Sequence, residues 1–467
     1  MENQTDRSRI PLNRVLGLPT AILLVAGIMI GSGVFKKIAP MAQTGIGEDY
    51  ILLAWIVAGV ITLFGAFTYA GLASMTAESG GVYEYLRLVY GDFIAFLFGW
   101  AIFMIGGSGA IAALAFVFSQ SVNTLIHLPE PFSNIQDISI GHFIYPFSSS
   151  GIKIFAVLTI FILSWINYRG VKNGGRLNNV VTGAKILGIF MLIVLGFFYT
   201  APTNHDPLPV TVPITVSGFA LFSGLFGAIL SALWAYDGWA NITYVTGEIR
   251  NPQKNIPIAI VAGLAIAMAL YVLLNASFMK VLSIDQLSAI GQDKIAGAEV
   301  AGVIMGKAGT VIIAVLIMIS TFGALNGCII TYPRIYYRMA QENVFFKKAA
   351  NVHPAFRTPY ISLIFSSTWS CILVISGTFD LLTNLIVFSG YLFFGFVAWG
   401  LVRMKRKGVI KTKVIGYPVF PILIILFALV LVANTAIVET RQSIIGVGLV
   451  LSGIPFYYYF KRKNVDT

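Results

Sequence analysis

The sequence predicts an all-α polytopic membrane protein with twelve transmembrane helices: two inverted five-helix halves and a final pair. Three observations carry this. The 467 residues are 57% hydrophobic and only 11% charged, with a mean hydropathy of +0.84. A soluble domain averages about 25% charged residues. The apolar residues come in blocks of about 20 or more, enough to cross a hydrocarbon core about 30 Å thick. Two of those blocks, five apart in the chain, are interrupted at their middles by residues that do not suit an apolar helix.

Numbered in chain order, segments 1 to 12 run 15–40, 49–77, 92–126, 151–168, 174–199, 217–247, 256–280, 308–341, 358–377, 379–403, 418–438 and 442–460. Clear punctuation separates them: Gly80-Gly81, Asn173-Gly174-Gly175, the stretch from Pro202 to Pro213, and Asn251-Pro252. Alternating the loops puts 23 Lys and Arg on one side and 7 on the other. The positive-inside rule makes the rich side cytoplasmic. Residues 1–14 and 461–467 then read as cytoplasmic tails, 15–199 as the first half, 217–403 as its inverted counterpart, and 418–460 as helices outside that core.

This placement explains the net charge of +12 without a nucleic-acid partner. The expected surroundings are the lipid bilayer of the cell inner (plasma) membrane. Residues 1–14 lack the apolar core and cleavage site of a removable signal peptide. Cys328 and Cys371 fall inside segments and the four histidines are scattered, so neither a disulfide framework, a metal site nor a cofactor is expected. No G-x-x-x-x-G-K-[ST] loop suggests ATP-driven chemistry. A channel would want a repeated pore-lining element, and a membrane-embedded enzyme an acid–base or metal constellation; the sequence offers neither.

Segment 1 contains Val25-Ala26-Gly27-Ile28-Met29-Ile30-Gly31-Ser32-Gly33-Val34-Phe35. Glycine costs a helix roughly 1 kcal/mol relative to alanine, and serine competes for backbone hydrogen bonds. Broken backbone at membrane depth survives only where it is buried in protein or lines a cavity. Segment 6 is interrupted likewise, at Asp237-Gly238 within Trp234-Ala235-Tyr236-Asp237-Gly238-Trp239. Five is odd, so repeats of five helices must be inverted in the membrane. Paired interruptions in inverted halves are the sequence pointer to a transporter site.

Chain direction assigns the chemistry. The second half of segment 1 begins just after Gly33, so its positive end and free N–H groups favour a carboxylate. The first half of segment 6 ends near Trp234 to Asp237, and its free carbonyls favour an ammonium group. Together they suggest an α-amino acid. For Asp237 three readings stay open: a cap on the second half of segment 6, a selector of cationic side chains, or indirect shaping of the pocket. For Trp234 and Tyr236 the plain alternative is packing. Gly106, Gly107 and Gly109 in segment 3 suit close helix contact. Ser320, Thr321 and Asn326 in segment 8 are possible core-facing polar groups.

Lys185, in the middle of segment 5, is an ionisable residue at bilayer depth and hence a functional candidate. Snorkelling to the interface fits poorly with the run of apolar or small residues, about ten, on either side.

Four stretches in order resemble the amino acid–polyamine–organocation superfamily and, within it, the L-type amino acid transporter family. They are Ile30-Gly31-Ser32-Gly33-Val34-Phe35, Ser79-Gly80-Gly81-Val82-Tyr83-Glu84-Tyr85-Leu86, the segment 6 motif with Thr246-Gly247-Glu248-Ile249-Arg250-Asn251-Pro252, and Ser320-Thr321-Phe322-Gly323-Ala324-Leu325-Asn326-Gly327. The resemblance implies a leucine-transporter-like fold of ten core helices plus two. It assigns the carboxylate of an L-amino acid to Gly31, Ser32 and Gly33, and the amine to carbonyls at Met29, Trp234 and Asp237, with Ile30, Ala235, Tyr236 and Gly238 completing the two breaks. Trp234 matches the aromatic gate over the substrate. The segment 6 wording is most similar to the branch that exchanges cationic for neutral amino acids. Lys185 would replace the cation of sodium-coupled relatives and hydrogen-bond the segment 1 break. The expectation is sodium-independent exchange, with proton-coupled symport open. Region 127–150 has no cysteine, so no disulfide-linked heavy chain is expected and the chain reads as a self-sufficient bacterial member.

Overall fold

A computed structural model describes residues 14–73, 75–76, 80–140, 145–200, 217–291, 294–376, 379–438 and 440–463. The expected tails (all but residue 14 of the first and 461–463 of the second), the stretch from Pro202 to Pro213 and Ser79 of the second motif lie outside them. Helix occupies all twelve segments. Among the described residues, ten helical runs are long and apolar enough to cross a membrane: Leu18–Lys36, Glu48–Ala73, Asp92–Leu125, Ser150–Tyr168, Gly174–Phe197, Ala220–Glu248, Pro252–Val281, Ala296–Gln341, Val419–Ile437 and Ser443–Arg462. The shorter apolar helix Tyr360–Ser376 and the helix Phe379–Arg406 fill segments 9 and 10. Helices satisfy their own backbone, which lipid does not.

Several ends differ from the sequence reading. Segment 7 begins at Pro252, where Asn251 in a left-handed conformation (φ 45°) turns the chain and proline suits the first helical position. Segment 8 begins at Ala296 and bends at Gly306, whose φ of 62° only glycine adopts easily. An amphipathic helix, Val82–Tyr90, lies between segments 2 and 3 where no element was expected.

Four pairs of segments five apart, from 1 with 6 to 4 with 9, pack against each other and run in opposite directions. Leu16, at the start of segment 1, pairs with the chain just past segment 6: its N–H donates to Glu248 O (3.0 Å), and Arg250 N–H donates to Leu16 O (2.9 Å). At the other end, Gly224 near the start of segment 6 abuts Ile46 and Thr44, beyond segment 1. In segments 2 and 7, Trp55 meets Tyr271 (ring centroids 5.4 Å) and Gly59 meets Met268. In segments 3 and 8, Gly107 abuts Tyr332 while Phe118 meets Phe322 at 5.5 Å. In segments 4 and 9, Thr358 Oγ1 donates to Tyr168 O (2.9 Å), and the Ser164 and Ser367 hydroxyls are 2.6 Å apart. At the far end of that pair Lys153 Nζ donates to Ile375 O (3.3 Å).

A π-helical turn, Ile102–Gly106, interrupts segment 3. Such turns leave carbonyls without their usual partner. Here Tyr336 OH donates to Ile102 O (3.3 Å) and Trp369 Nε1 to Met104 O (3.1 Å). Segments 11 and 12 lie to the side: Phe420 stacks on Phe64 of segment 2 (4.1 Å), and Phe456 stacks on Trp100 of segment 3 (4.5 Å).

Candidate functional site

Segment 1 is two helices. Leu18–Met29 ends where Ile30 leaves helical geometry (ψ 79°), and helix resumes at Gly33–Lys36. It continues through Lys37, still right-handed helical, into Ile38–Ala42. Gly31 N–H folds back onto Met29 O (2.7 Å). Among the described residues, no acceptor meets the N–H groups of Ser32, Gly33 and Val34. These are the free donors a helix start leaves, here in the protein interior, since all three residues are buried.

Segment 6 breaks at the same level. Gly218–Ala235 ends, Gly238 turns the chain with φ 95°, and the tighter 3-10 stretch Trp239–Glu248 follows. The two breaks touch through missing side chains. A Cβ on Gly33 would lie 2.8 Å from Ala235 Cβ, and one on Gly238 would lie 2.5 Å from Ile28 Cγ2. Between them is a cavity of about 40 Å³. One water needs roughly 10–15 Å³ on this measure, so the space suits a few non-hydrogen atoms and no large side chain.

Of the residues expected at the site, Met29, Gly31, Ser32, Gly33, Trp234, Ala235, Asp237 and Gly238 line the cavity. Ile30 and Tyr236 do not. The Ile30 carbonyl turns to segments 5 and 8, and the Tyr236 hydroxyl donates to Trp55 O (3.1 Å). Five lining residues were not among those expected at the site: Ile28 of segment 1, Ala110 and Leu114 of segment 3, and Cys328 and Tyr332 of segment 8. None is unusual in an apolar helix, so composition carries no signal of them.

Lys185 is fully buried beneath the break in segment 1. Its Nζ donates to Gly27 O (2.5 Å), Ile30 O (2.7 Å) and Ser320 O (3.3 Å). Ser320 Oγ donates to Ile30 O as well (2.7 Å). Lysine and serine thus supply donors to carbonyls that the broken helix leaves bare. The other polar residues of segment 8 go elsewhere. Thr321 Oγ1 donates to Ile317 O of its own helix (2.7 Å). Asn326 accepts from Asn167 Nδ2 (2.8 Å) and donates to Gly174 O (3.1 Å), tying segments 4, 5 and 8. On the far side of the breaks, Tyr271 OH reaches Met29 O (2.7 Å) and Ala235 O (2.8 Å).

Ion pairs cluster where segment 6 ends and segment 1 begins. Glu84 accepts from Arg87 (2.8 and 3.1 Å) and Arg338 (3.0 and 3.3 Å). Glu342 joins both arginines, at 3.3 and 3.0 Å. Arg334 holds Glu248 at two points, 2.8 and 3.2 Å. Burial alone would push the Glu84 carboxyl up, but the hydrogen bonds from Arg87 and Arg338 outweigh it and hold the group below its ordinary range.

Ten helices among the described residues that are long and apolar enough to cross a membrane, with two touching helix breaks around one cavity, define a multi-pass membrane protein of the permease class. The family model "Amino acid permease" matches residues 16–458, and the chain belongs to that family, within the amino acid–polyamine–organocation superfamily. It is 31% identical over 460 residues to the serine/threonine exchanger SteT of Bacillus subtilis (strain 168), covering 97% of this chain and 98% of that one. It is 28% identical over 454 residues to the b(0,+)-type amino acid transporter 1 of Homo sapiens, covering 96% and 88%. With the large neutral amino acids transporter small subunit 2 of Rattus norvegicus, identity is 27% over 468 residues, covering 97% and 82%. These relatives are transporters, which supports a role other than enzyme.

Proposed function

We propose that the chain is a sodium-independent secondary transporter that exchanges amino acids by alternating access in the cell inner membrane. One observation carries the reading. Two antiparallel broken helices meet at one cavity, one presenting the free N–H groups of Ser32, Gly33 and Val34, the other the end of the helix Gly218–Ala235. Opposite helix ends suit the opposite charges of an α-amino acid. Four segment pairs five apart, each antiparallel, support an inverted repeat of 15–199 on 217–403 and twelve crossings in all. The basic loops support a cytoplasmic position for both termini.

Lys185 supports sodium independence, because its ammonium group already fills the carbonyl cluster that a cation would need. A buried amine in contact with the break is also what a proton-coupled symporter would use, and that is the second reading. The cavity's size favours small neutral side chains first, in keeping with the name of the B. subtilis relative. The two cysteines of the chain, Cys328 and Cys371, are both buried, which supports work without a disulfide-linked heavy chain.

The test varies the ligand. Displacement of labelled serine from the purified protein is measured with serine, with serinamide, which lacks the carboxylate, and with 3-hydroxypropanoate, which lacks the ammonium. Serine alone should compete well. Equal competition by either analogue would sink the two-ended site.

A further inference from the structure

A strongly basic turn joins segments 10 and 11. The helix Phe379–Arg406 ends in Arg403, Lys405 and Arg406, and Lys407, Lys411 and Lys413 follow before the helix Val419–Val438 begins. No Asp or Glu stands between Asp380 and Glu439 to offset these charges. The turn is held against the protein. Gly408, with φ 70°, ends the helix, and Val409 N–H donates to Met404 O (3.1 Å). Ile410 is buried, Lys405 Nζ donates to Thr412 O (2.8 Å), and Val414 lies against Gly71 of segment 2. Arg406, Lys407, Lys411 and Lys413 stay exposed.

Next to this turn the same two helices leave a groove open on the outside of the bundle. Its volume is about 370 Å³, and it lies between residues 391–399 of segment 10 and 425–432 of segment 11. Every lining residue is apolar or aromatic, and Phe396, Trp399 and Leu429 are exposed. Residues 391–399 rise about 12 Å at 1.5 Å per residue, most of the depth of one leaflet, which is half of about 30 Å. Trp399 and Arg403 are four apart on one helix face, and Arg406 continues that stripe. Arg403 is held over the Tyr90 ring, 5.7 Å from its centroid. The positive-inside rule accounts for charge at a cytoplasmic turn. It does not account for an apolar groove one leaflet deep that ends at that charge.

We propose that this groove binds an anionic phospholipid of the cytoplasmic leaflet. One acyl chain lies between segments 10 and 11, and the phosphate meets Arg406, Lys411 and Lys413. Clusters of about 4–8 Lys and Arg beside a membrane helix attract anionic lipid. The groove adds the apolar half of the recognition, which a free phosphate does not use, and the charges add the half a neutral lipid does not use. The bound lipid fastens segment 11, outside the ten-helix core, to segment 10. The site is separate from the cavity between the two breaks and holds whatever solute is carried.

The test titrates the purified chain with phosphatidylglycerol and with phosphatidylcholine of the same acyl chains, counting bound lipid by native mass spectrometry. The wild type should hold phosphatidylglycerol roughly tenfold more tightly. Replacing Arg406, Lys411 and Lys413 together by glutamine should remove that preference. A Cβ on Gly395 would meet only Ala428 Cβ, at 3.5 Å, so Gly395→Leu fits and fills the groove. It should weaken phosphatidylglycerol binding with every charge in place. Equal binding of the two lipids by the wild type, or wild-type binding by either variant, overturns the proposal. So does displacement of the lipid by glycerol phosphate, or a dimer that covers this face without lipid. If Gly395→Leu lowers the yield of folded protein, phosphatidylglycerol with brominated acyl chains gives a second readout. It should quench tryptophan emission more than brominated phosphatidylcholine does, and Trp399→Phe should remove the excess. Equal quenching by the two lipids overturns the proposal.

Discussion

Gly33 and Gly31 flank the same serine, yet the structure gives them different tolerances. A methyl group on Gly33 would lie 2.8 Å from Ala235 Cβ and 2.9 Å from Ala235 Cα. Carbon atoms in good contact are about 3.5–4.0 Å apart, so the two breaks would have to separate by close to 1 Å. Overpacking of this kind costs about 1–3 kcal/mol, partly offset by alanine's helix preference of about 1 kcal/mol. A methyl on Gly31 would meet Leu114 Cδ2 at 3.6 Å and Ala324 Cβ at 3.8 Å, ordinary contacts. Gly33→Ala should therefore lower thermal stability in detergent and reduce exchange at least tenfold, because a misplacement of about 1 Å at a reacting or binding centre is costly. Gly31→Ala should keep wild-type stability and lose only affinity, since its methyl enters the cavity. The assay is paired: a melting curve and labelled-substrate exchange on both variants. Wild-type behaviour from Gly33→Ala, or two indistinguishable variants, would refute the argument from close approach.

Three further outcomes follow from named contacts. Lys185→Ala removes the donor to Gly27 O and Ile30 O and should lose most transport while still inserting into the membrane; wild-type rates would leave Lys185 a packing residue. Cys328 lines the cavity and the other cysteine, Cys371, is not among the lining residues, so substrate should protect Cys371→Ser against inactivation by a small thiol reagent. Loss of activity at the same rate with and without substrate would place Cys328 off the site. The Glu84 carboxyl is held below its ordinary range, so its contribution to stability is present above about pH 4.3, the free glutamate value, and is lost as pH falls through the lower folded value. Glu84→Gln should flatten that acid limb of a stability profile; an unchanged profile would remove Glu84 from the explanation.

Some of this was legible in the sequence and some was not, for physical reasons. An all-helical, multi-pass chain follows from apolar blocks, because lipid leaves backbone polar groups no other partner. The interruptions at Gly31-Ser32-Gly33 and Asp237-Gly238 stood out because glycine and charge are costly in an apolar helix, and Lys185 stood out for the same reason. Ala110, Leu114, Cys328 and Tyr332 are ordinary residues of apolar helices, and only the register of segments 3 and 8 brings them to the cavity. Tyr271 hides likewise: its meaning lies in two carbonyls, 242 and 36 residues away in the chain. The helix Val82–Tyr90 escaped notice because Glu84 and Arg87 read as loop charges until Arg338 pairs with Glu84. Segment boundaries moved where a single glycine or proline, such as Gly306 or Pro252, sets the geometry.

Uptake of labelled serine into proteoliposomes, with and without internal amino acid, a sodium gradient or a pH gradient, tests the central claim most directly. The paired-break account predicts uptake that needs internal amino acid and ignores sodium. Uptake driven by an inward proton gradient with empty vesicles would contradict exchange, and no uptake of any amino acid would contradict the whole account.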